Sequence, residues 1–310
     1  MKKNTLMILA FMIITAVTAA VFLKTGSVRK TEFKKRKSYE EAQSEKEKEI
    51  LKKFRIRSKT ASKSEYRSGE VSLVYKNMFF EFDTEADLIR STIYEAGGSS
   101  TVWDYVYDEK KDNIRTKAAT NAGKQLADTV YKYDENKNVI EENDLVSTGQ
   151  PERRTYAFDA SGNKISETHY STGGVALAKY FEYDANNNRA AEKNASGEVT
   201  LKCRYDANNN KIEDAYILPG GKTSIFSYKF DEKNLLSETL IYSSGGELSD
   251  RFNYRYDGNS NMTEIKRSGG DGKLMARETY KYDERELLSE QAAFDANDRI
   301  ESVHKYEYSE

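Results

Sequence analysis

Carboxylates recur at a set place along this chain, and carboxylates beside aromatic rings can grip sugar hydroxyls or cations. Four residues after the Asn of a polar turn stand Glu142 (from Asn138), Glu167 (Asn163), Glu192 (Asn188), Asp214 (Asn210) and Glu238 (Asn234). Glu290 holds the same place after Glu286, and Ile265 after Asn261 interrupts the series. Two residues before most of them is Ile140, Ile165, Ile212, Leu236 or Leu288. The plainer role for each acid is to accept a tyrosine hydroxyl or to pair with a Lys or Arg on the adjoining strand. Like charges two strands apart are tolerable when such partners intervene, and the spacing favours this structural role.

Asp-x-Asn-x-Asn at Asp134, Asp184, Asp206 and Asp257 resembles the start of a calcium loop. Such a loop also needs a glycine at position 6 and a bidentate acid at position 12. Position 6 is Val139, Arg189, Lys211 or Met262, and position 12 is Leu145, Ala195, Ile217 or Ser268. The pattern therefore predicts Asx turns, with no metal and no cofactor. Catalysis finds little footing. His169 and His304 bear no set relation to the single thiol, Cys203, which stands where other copies have an aromatic ring. No glycine-rich phosphate loop precedes a helix. The chain reads as non-enzymatic.

These residues are positioned by a repeat. Aromatic–x–aromatic–Asp recurs at Phe80–Asp83, Tyr105–Asp108, Tyr131–Asp134, Tyr156–Asp159, Phe181–Asp184, Tyr228–Asp231, Tyr254–Asp257 and Tyr280–Asp283. Cys203–Asp206 is a variant copy, and Tyr306–Ser309 is a tenth. Aromatics at i and i+2 share one face of a strand, and Lys132, Lys229, Arg255 and Lys281 between them take the other. Asp and Asn turns follow each strand, a second strand starts, and glycine pairs such as Gly220-Gly221 and Gly245-Gly246 close it. Two strands per unit at about 4.8 Å each would give a ribbon of roughly 95 Å. The expected fold is thus all-β: an extended antiparallel repeat array, either an open solenoid or a single-layer sheet, preceded by an N-terminal helix. Apolar residues make up only 37% of the chain, which suits such an array better than a compact core.

Candidate ligand contacts are the ring rows and their acids: Trp103, Tyr131, Tyr133, Tyr254, Tyr256, Tyr280 and Tyr282, with Glu142, Glu167 and Glu238. Trp103 lies two residues before Tyr105 on the same strand face, where it is either a sugar-stacking platform or one more member of the ladder.

The Tyr-x-Tyr-Asp strands, the Asn-bearing turns and the glycine turn half a unit later resemble the YD repeat of RHS-family proteins over about residues 78–308. That resemblance implies β-strands of the kind that wind into large shells, bacterial surface proteins or housings for toxin domains, and an association with carbohydrate binding. Here it implies a short, repeat-only member without a toxin domain.

Thr5–Leu23 is an uncharged run after Met1-Lys2-Lys3. It exceeds the usual secretory core of about 7–15 residues and just reaches the roughly 20 of a spanning helix. Residues 1–23 are accordingly expected to be a signal peptide or transmembrane anchor, residues 24–66 a charged, partly helical stalk, and residues 67–310 the array. The stalk carries fifteen Lys or Arg against seven Asp or Glu. Within it Tyr39–Arg57 has a narrow stripe of Ile50, Leu51 and Phe54 suited to a solvated helix. Since the whole chain is −2, the stalk is +8 and Lys2 and Lys3 add two more positive charges, residues 67–310 are left at −12, which excludes the basic footprint of a nucleic-acid binder. A membrane-anchored or secreted protein of the periplasm or cell surface follows, presenting its array to a glycan or a surface protein. The alternative is a structural spacer, or a remnant of an RHS-type toxin-delivery system, with no ligand of its own.

Overall fold

The computed structural model describes residues 38–146, 152–171 and 173–310. The signal or anchor expected at 1–23 lies outside the described residues. Among the described residues no helix is long and apolar enough to cross a membrane. Among the described residues a single α-helix, α1 (Tyr39–Lys53), precedes the strands β1 (Ser58–Arg67), β2 (Glu70–Phe82), β3 (Leu88–Tyr94), β4 (Ser100–Tyr107), β5 (Asn113–Thr120), β6 (Gln125–Tyr133), β7 (Val139–Asp144), β8 (Glu152–Phe158), β9 (Lys164–Ser171) and β10 (Gly174–Tyr183). The second half comprises β11 (Arg189–Asn194), β12 (Val199–Tyr205), β13 (Lys211–Ile217), β14 (Thr223–Phe230), β15 (Leu236–Tyr242), β16 (Leu248–Tyr256), β17 (Met262–Gly269), β18 (Leu274–Tyr282), β19 (Leu288–Phe294) and β20 (Ile300–Ser309).

Each strand pairs antiparallel with the next, and β1 pairs antiparallel with β20, Ser58 facing Ser309 and Glu65 facing Ser302. The fold is therefore a closed 20-stranded antiparallel barrel. The open solenoid or single-layer array expected from the repeat is overturned. Two local features curl the ribbon until its ends meet. Each Asp turn places its fourth residue at positive φ, as at Lys137 (65°), Asn187 (61°) and Asn234 (66°), and closes a one-residue bulge. Within the hairpin a second bulge follows: Lys132 faces Glu141 but Tyr133 faces Val139, leaving Ile140 over. The same shift recurs in the other eight Asp-turn hairpins, from β2–β3 through β18–β19. Bulges bend a strand and raise its twist.

The mate for the last strand comes from upstream of the repeat. β1 lies inside the segment read as a stalk. It buries only Ala61, 0% exposed, between Met78 and Tyr306, and its other inward positions are Lys59, Lys63 and Glu65. A strand so polar leaves little trace of period-2 patterning. α1 forms where expected, opened by a capping box in which Ser38 Oγ accepts from the Glu41 amide at 3.1 Å. It is not a spacer. Leu51 (0% exposed) packs with Ile56, Phe82, Ala86, Leu88 and Leu287, and Ile50 and Phe54 lie against the same cluster. Tyr39, Lys46 and Lys52 reach Ser260, Asn261 and Glu85, so the helix lies across the Asp-turn mouth of the barrel.

Aromatic rows face inward and the charged residues between them face out: along β16, Phe252, Tyr254 and Tyr256 are half-buried while Arg251, Asn253 and Arg255 are exposed. On the outer wall the residue between the two rings pairs with an acid on the next strand, as Lys132–Glu141 (2.6 Å), Lys229–Glu238 (2.6 Å) and Lys281–Glu290 (2.7 Å). A lipid-facing barrel needs an outward apolar band roughly 25 Å tall; these mid-strand charges make the outer wall a water-facing one.

Where the second ring of the pair is a tyrosine rather than Phe82, Phe158 or Phe230, it carries a recurring hydrogen bond. Its hydroxyl donates to the carbonyl at the bulge of the preceding unit: Tyr107 to Leu88 (2.8 Å), Tyr133 to Asn113 (2.7 Å), Tyr183 to Lys164 (2.8 Å) and Tyr205 to Arg189 (3.1 Å). Tyr256 to Leu236, Tyr282 to Met262 and Tyr308 to Leu288 repeat it. These bonds are half-buried, and a typical intramolecular hydrogen bond contributes about 0.5–1.5 kcal/mol net. Tyr282→Phe is expected to lower unfolding stability by that amount in urea titrations, whereas Tyr180→Phe, on the 46% exposed Tyr180, is expected to leave it unchanged.

Candidate functional site

The lumen is the concave surface of this molecule. Barrels of 16–18 strands already leave an aqueous channel, and twenty strands at about 4.8 Å give a circumference near 100 Å. α1 covers one sector of the wall. Beneath and beside it Tyr256 packs edge-on to Tyr39 at 5.4 Å, and Tyr282 donates to Met262. Tyr280 donates to Glu278 at 2.6 Å, and Tyr254 meets Thr239 Oγ1 at 3.3 Å. Burial raises the hydroxyl pKa of all four, and that of Tyr39 to about 12. These expected ligand contacts are thus occupied by the protein itself. The rows expected to face a partner across an open sheet face the lumen instead.

The opposite sector, from β4 to β13, is different. Trp103 and Tyr131 line it, and Tyr133 lies at its Asp-turn edge with its hydroxyl held by Asn113. Here the first-ring level carries acids: Glu142 faces Tyr131, Glu167 faces Tyr156, Glu192 faces Phe181 and Asp214 faces Cys203. Cations alternate with them. Lys164 Nζ and His169 Nε2 each lie 2.7 Å from Glu167; Lys179 and Glu192 are 3.0 Å apart, and Lys211 and Asp214 2.7 Å. Arg154 is 3.6 Å from Glu142. Water reaches this wall: the Arg154 side chain is 44% exposed and that of Lys179 37%.

The acidic series therefore splits. Glu142, Glu167, Glu192 and Asp214 face the lumen; Glu238 and Glu290 pair with Lys229 and Lys281 on the outer wall. Asn234 and Glu286 hold the positive-φ place of their turns, one residue before the place of Asn138, so counting from them slips the register by one. A slip of one residue moves a side chain to the other face. Thr239, Ile265 and Gln291 fill the lumen positions of those units. The basic residues were the unrecognised part of the site. Arg154 and Lys179 stand two before Tyr156 and Phe181, on the same strand face, and that spacing was the available signal.

The Asx turns take the expected form. Asp134 Oδ1 accepts the amides of Asn136 (2.9 Å) and Asn138 (2.8 Å), and its Oδ2 accepts the Asn138 side chain at 2.9 Å. Asp184, Asp206 and Asp257 do the same. Neighbouring turns are laced together, with Asn163 Nδ2 donating to Asn187 Oδ1 at 2.9 Å and Asn188 Nδ2 to Asn209 Oδ1 at 3.0 Å. Cys203 is buried beside Asp214; burial first, then that carboxylate, pushes its thiol up to about 11. A thiol so raised is a poor nucleophile at neutral pH.

Burial works against the Glu167 carboxylate, but Lys164 and His169 outweigh it and hold its pKa at about 2. Glu141 is also near 2, through Lys132, Asn143 and Arg153, yet stands on the outer wall, so a displaced pKa alone does not mark the site. A carboxyl held below its ordinary 4.5 adds stability that is complete above that value and is lost as pH falls toward 2. The urea midpoint is expected to fall between those pH values, and Glu167→Gln to flatten the fall. The Cys203 thiol is expected to react with a disulfide reagent at pH 8 far more slowly than a free thiol, and to match it once urea unfolds the chain.

No family model matches this chain, and no curated protein does. Solved structures give distant likenesses. The structure of TcdB2-TccC3-Cdc42 has 13% identity and a TM-score of 0.39, over 76% of this chain and 16% of that one. The Photorhabdus luminescens Tc holotoxin pore has 12% identity and a TM-score of 0.36, over 78% and 18%. A porin-like protein from Bacteroides uniformis has 8% identity and a TM-score of 0.35, over 82% and 98%. This chain spans less than a fifth of the toxin chains it is similar to, and at these scores no function passes from any of the three to it.

Proposed function

We propose that this chain is a non-enzymatic binding barrel of the cell envelope that holds a neutral glycan against the β4–β13 sector of its lumen. One observation carries the reading. The rings of Trp103, Tyr131 and Tyr156 stand on that wall beside solvated Arg154 and Lys179 and the carboxylates of Glu142, Glu167 and Glu192. A sugar hydroxyl both donates and accepts, and a sugar ring offers an apolar face. Alternating acids and cations between aromatic faces suit that ligand better than a polymer of one charge sign, which half of these groups would repel. The expectation of glycan or surface-protein binding narrows to the glycan because the rings are turned inward. Export through the N-terminal apolar run supports the envelope as the place.

The alternative is a structural shell, or a remnant of a toxin-delivery system, without a ligand. The commitment of the tyrosine hydroxyls to the protein's own carbonyls favours it. Calorimetric titration of the full chain in lipid nanodiscs with a panel of neutral oligosaccharides separates the two. Binding that weakens roughly 3–10-fold in Trp103→Ala and is unchanged in Glu238→Gln is expected. Absence of binding across the panel, or loss in Glu238→Gln equal to that in Trp103→Ala, would leave the shell.

A further inference from the structure

Next to the charged sector, nearer the glycine-turn end, the lumen wall changes character. Leu201 and Tyr216 face each other across β12 and β13, and Phe226 and Ile241 face each other across β14 and β15. The rings of Tyr216 and Phe226 meet edge-on at 5.3 Å, which joins the two pairs into one patch. Leu218, two residues beyond Tyr216, extends it upward. Tyr216 is 40% exposed and Leu218 42%, so the patch is open to the lumen. It borders the polar sector directly: Leu201 also faces Glu192, which holds Lys179 at 3.0 Å. Set against the charged sector, this side-by-side arrangement is one that a ligand with two unlike ends would match.

On the reading that the sector holds a neutral sugar, we propose that the ligand is an amphiphile, a sugar headgroup joined to an alkyl or acyl chain, with the chain laid on Leu201, Tyr216, Leu218, Phe226 and Ile241. Charge partition supports this occupant. The patch itself has no ionised group among its five residues, while the head has donors and acceptors one strand away. A peptide or a free polysaccharide would leave the patch wet, and exposed apolar surface next to a bound ligand forgoes binding energy.

An alkyl β-glucoside series, from methyl to octyl and kept below micelle formation, tests the inference on the full chain in nanodiscs with empty discs subtracted. Each buried CH₂ is worth about 0.8 kcal/mol, or roughly fourfold in affinity. Affinity is expected to climb by about that factor per carbon over part of the series. Tyr216→Ser is expected to flatten the climb without weakening the methyl glucoside, and Leu218→Ser provides a second variant at the exposed edge should the first fold poorly. A flat series in the native chain, or a climb that both variants leave intact, overturns the proposal. Failure of the underlying reading looks different: alkanols of equal length would then climb as steeply and bind as tightly as the glucosides, so that the head adds nothing.

Discussion

One hydrogen bond recurs through most of this repeat: a half-buried tyrosine hydroxyl donating to the carbonyl beside the bulge of the preceding unit. Each hairpin bulges just inside its Asp turn, where Tyr133, for example, faces Val139 and Ile140 is left over. A bulge leaves backbone groups out of the ladder, and a buried carbonyl must be satisfied somehow. In seven of the nine hairpins a tyrosine of the next unit supplies the donor, as Tyr133 does for Asn113 and Tyr282 for Met262, while Phe158 and Phe230 have no hydroxyl to give. The unit that twists the sheet and the unit that seals the twist are thus different copies. This is why a Tyr-bearing repeat is stable only beside a neighbour. It is also why the rings must face inward: the outer wall at the same level holds the Lys–Glu pairs.

Register decides what the lumen contains. With a period of two, the level of Glu142, Glu167, Glu192 and Asp214 becomes a charged belt only because each is four residues beyond the last residue of an Asp-to-Asn turn. In later units Thr239, Ile265 and Gln291 take that level, and the wall there is uncharged at that level where α1 and its tyrosines pack. A belt and a docking face on one ring come from substitutions at a single repeat position. In the belt the cations are the solvated partners, Arg154 at 44% and Lys179 at 37% side-chain exposure, and these are the groups that can exchange a carboxylate for a ligand's hydroxyl.

Much of this was legible in the sequence. The strand–turn unit, the shared face of the rings, the Asx turns and the helical stripe all follow from spacing and side-chain chemistry that act within a few residues. Closure did not follow, because it depends on the sum of small bends over some 250 residues and on β1, a strand whose inward residues are Lys59, Ala61, Lys63 and Glu65. The acidic ladder was half legible. Asn234 looks like Asn138 but occupies the positive-φ place of its turn, and side-chain identity alone does not reveal which. The helix was visible, but its partners were not. Ile50, Leu51 and Phe54 show a stripe, and nothing local says that Phe82 and Leu287, far along the chain, complete it.

The seam between β1 and β20 carries a burden no other joint does. A linear repeat protein needs terminal caps to shield its end units, whereas here the two ends shield each other. Every other strand pair joins consecutive segments, with little chain entropy to lose on closing. The seam brings Ser58 to Ser309, the longest loop in the structure. Non-repeating residues reinforce it. Lys59 of β1 lies over the rings of Tyr306 and Tyr308, and its ammonium is held 2.9 Å from Glu47 of α1. Burial alone would drive the proton off Lys59; Glu47 reverses this and raises the pKa. α1 thereby ties the first strand to the last two rings of the repeat. The segment that repeats least is the part that makes the repeat a closed vessel, and a lumen with a defined inner wall exists only because that segment is there.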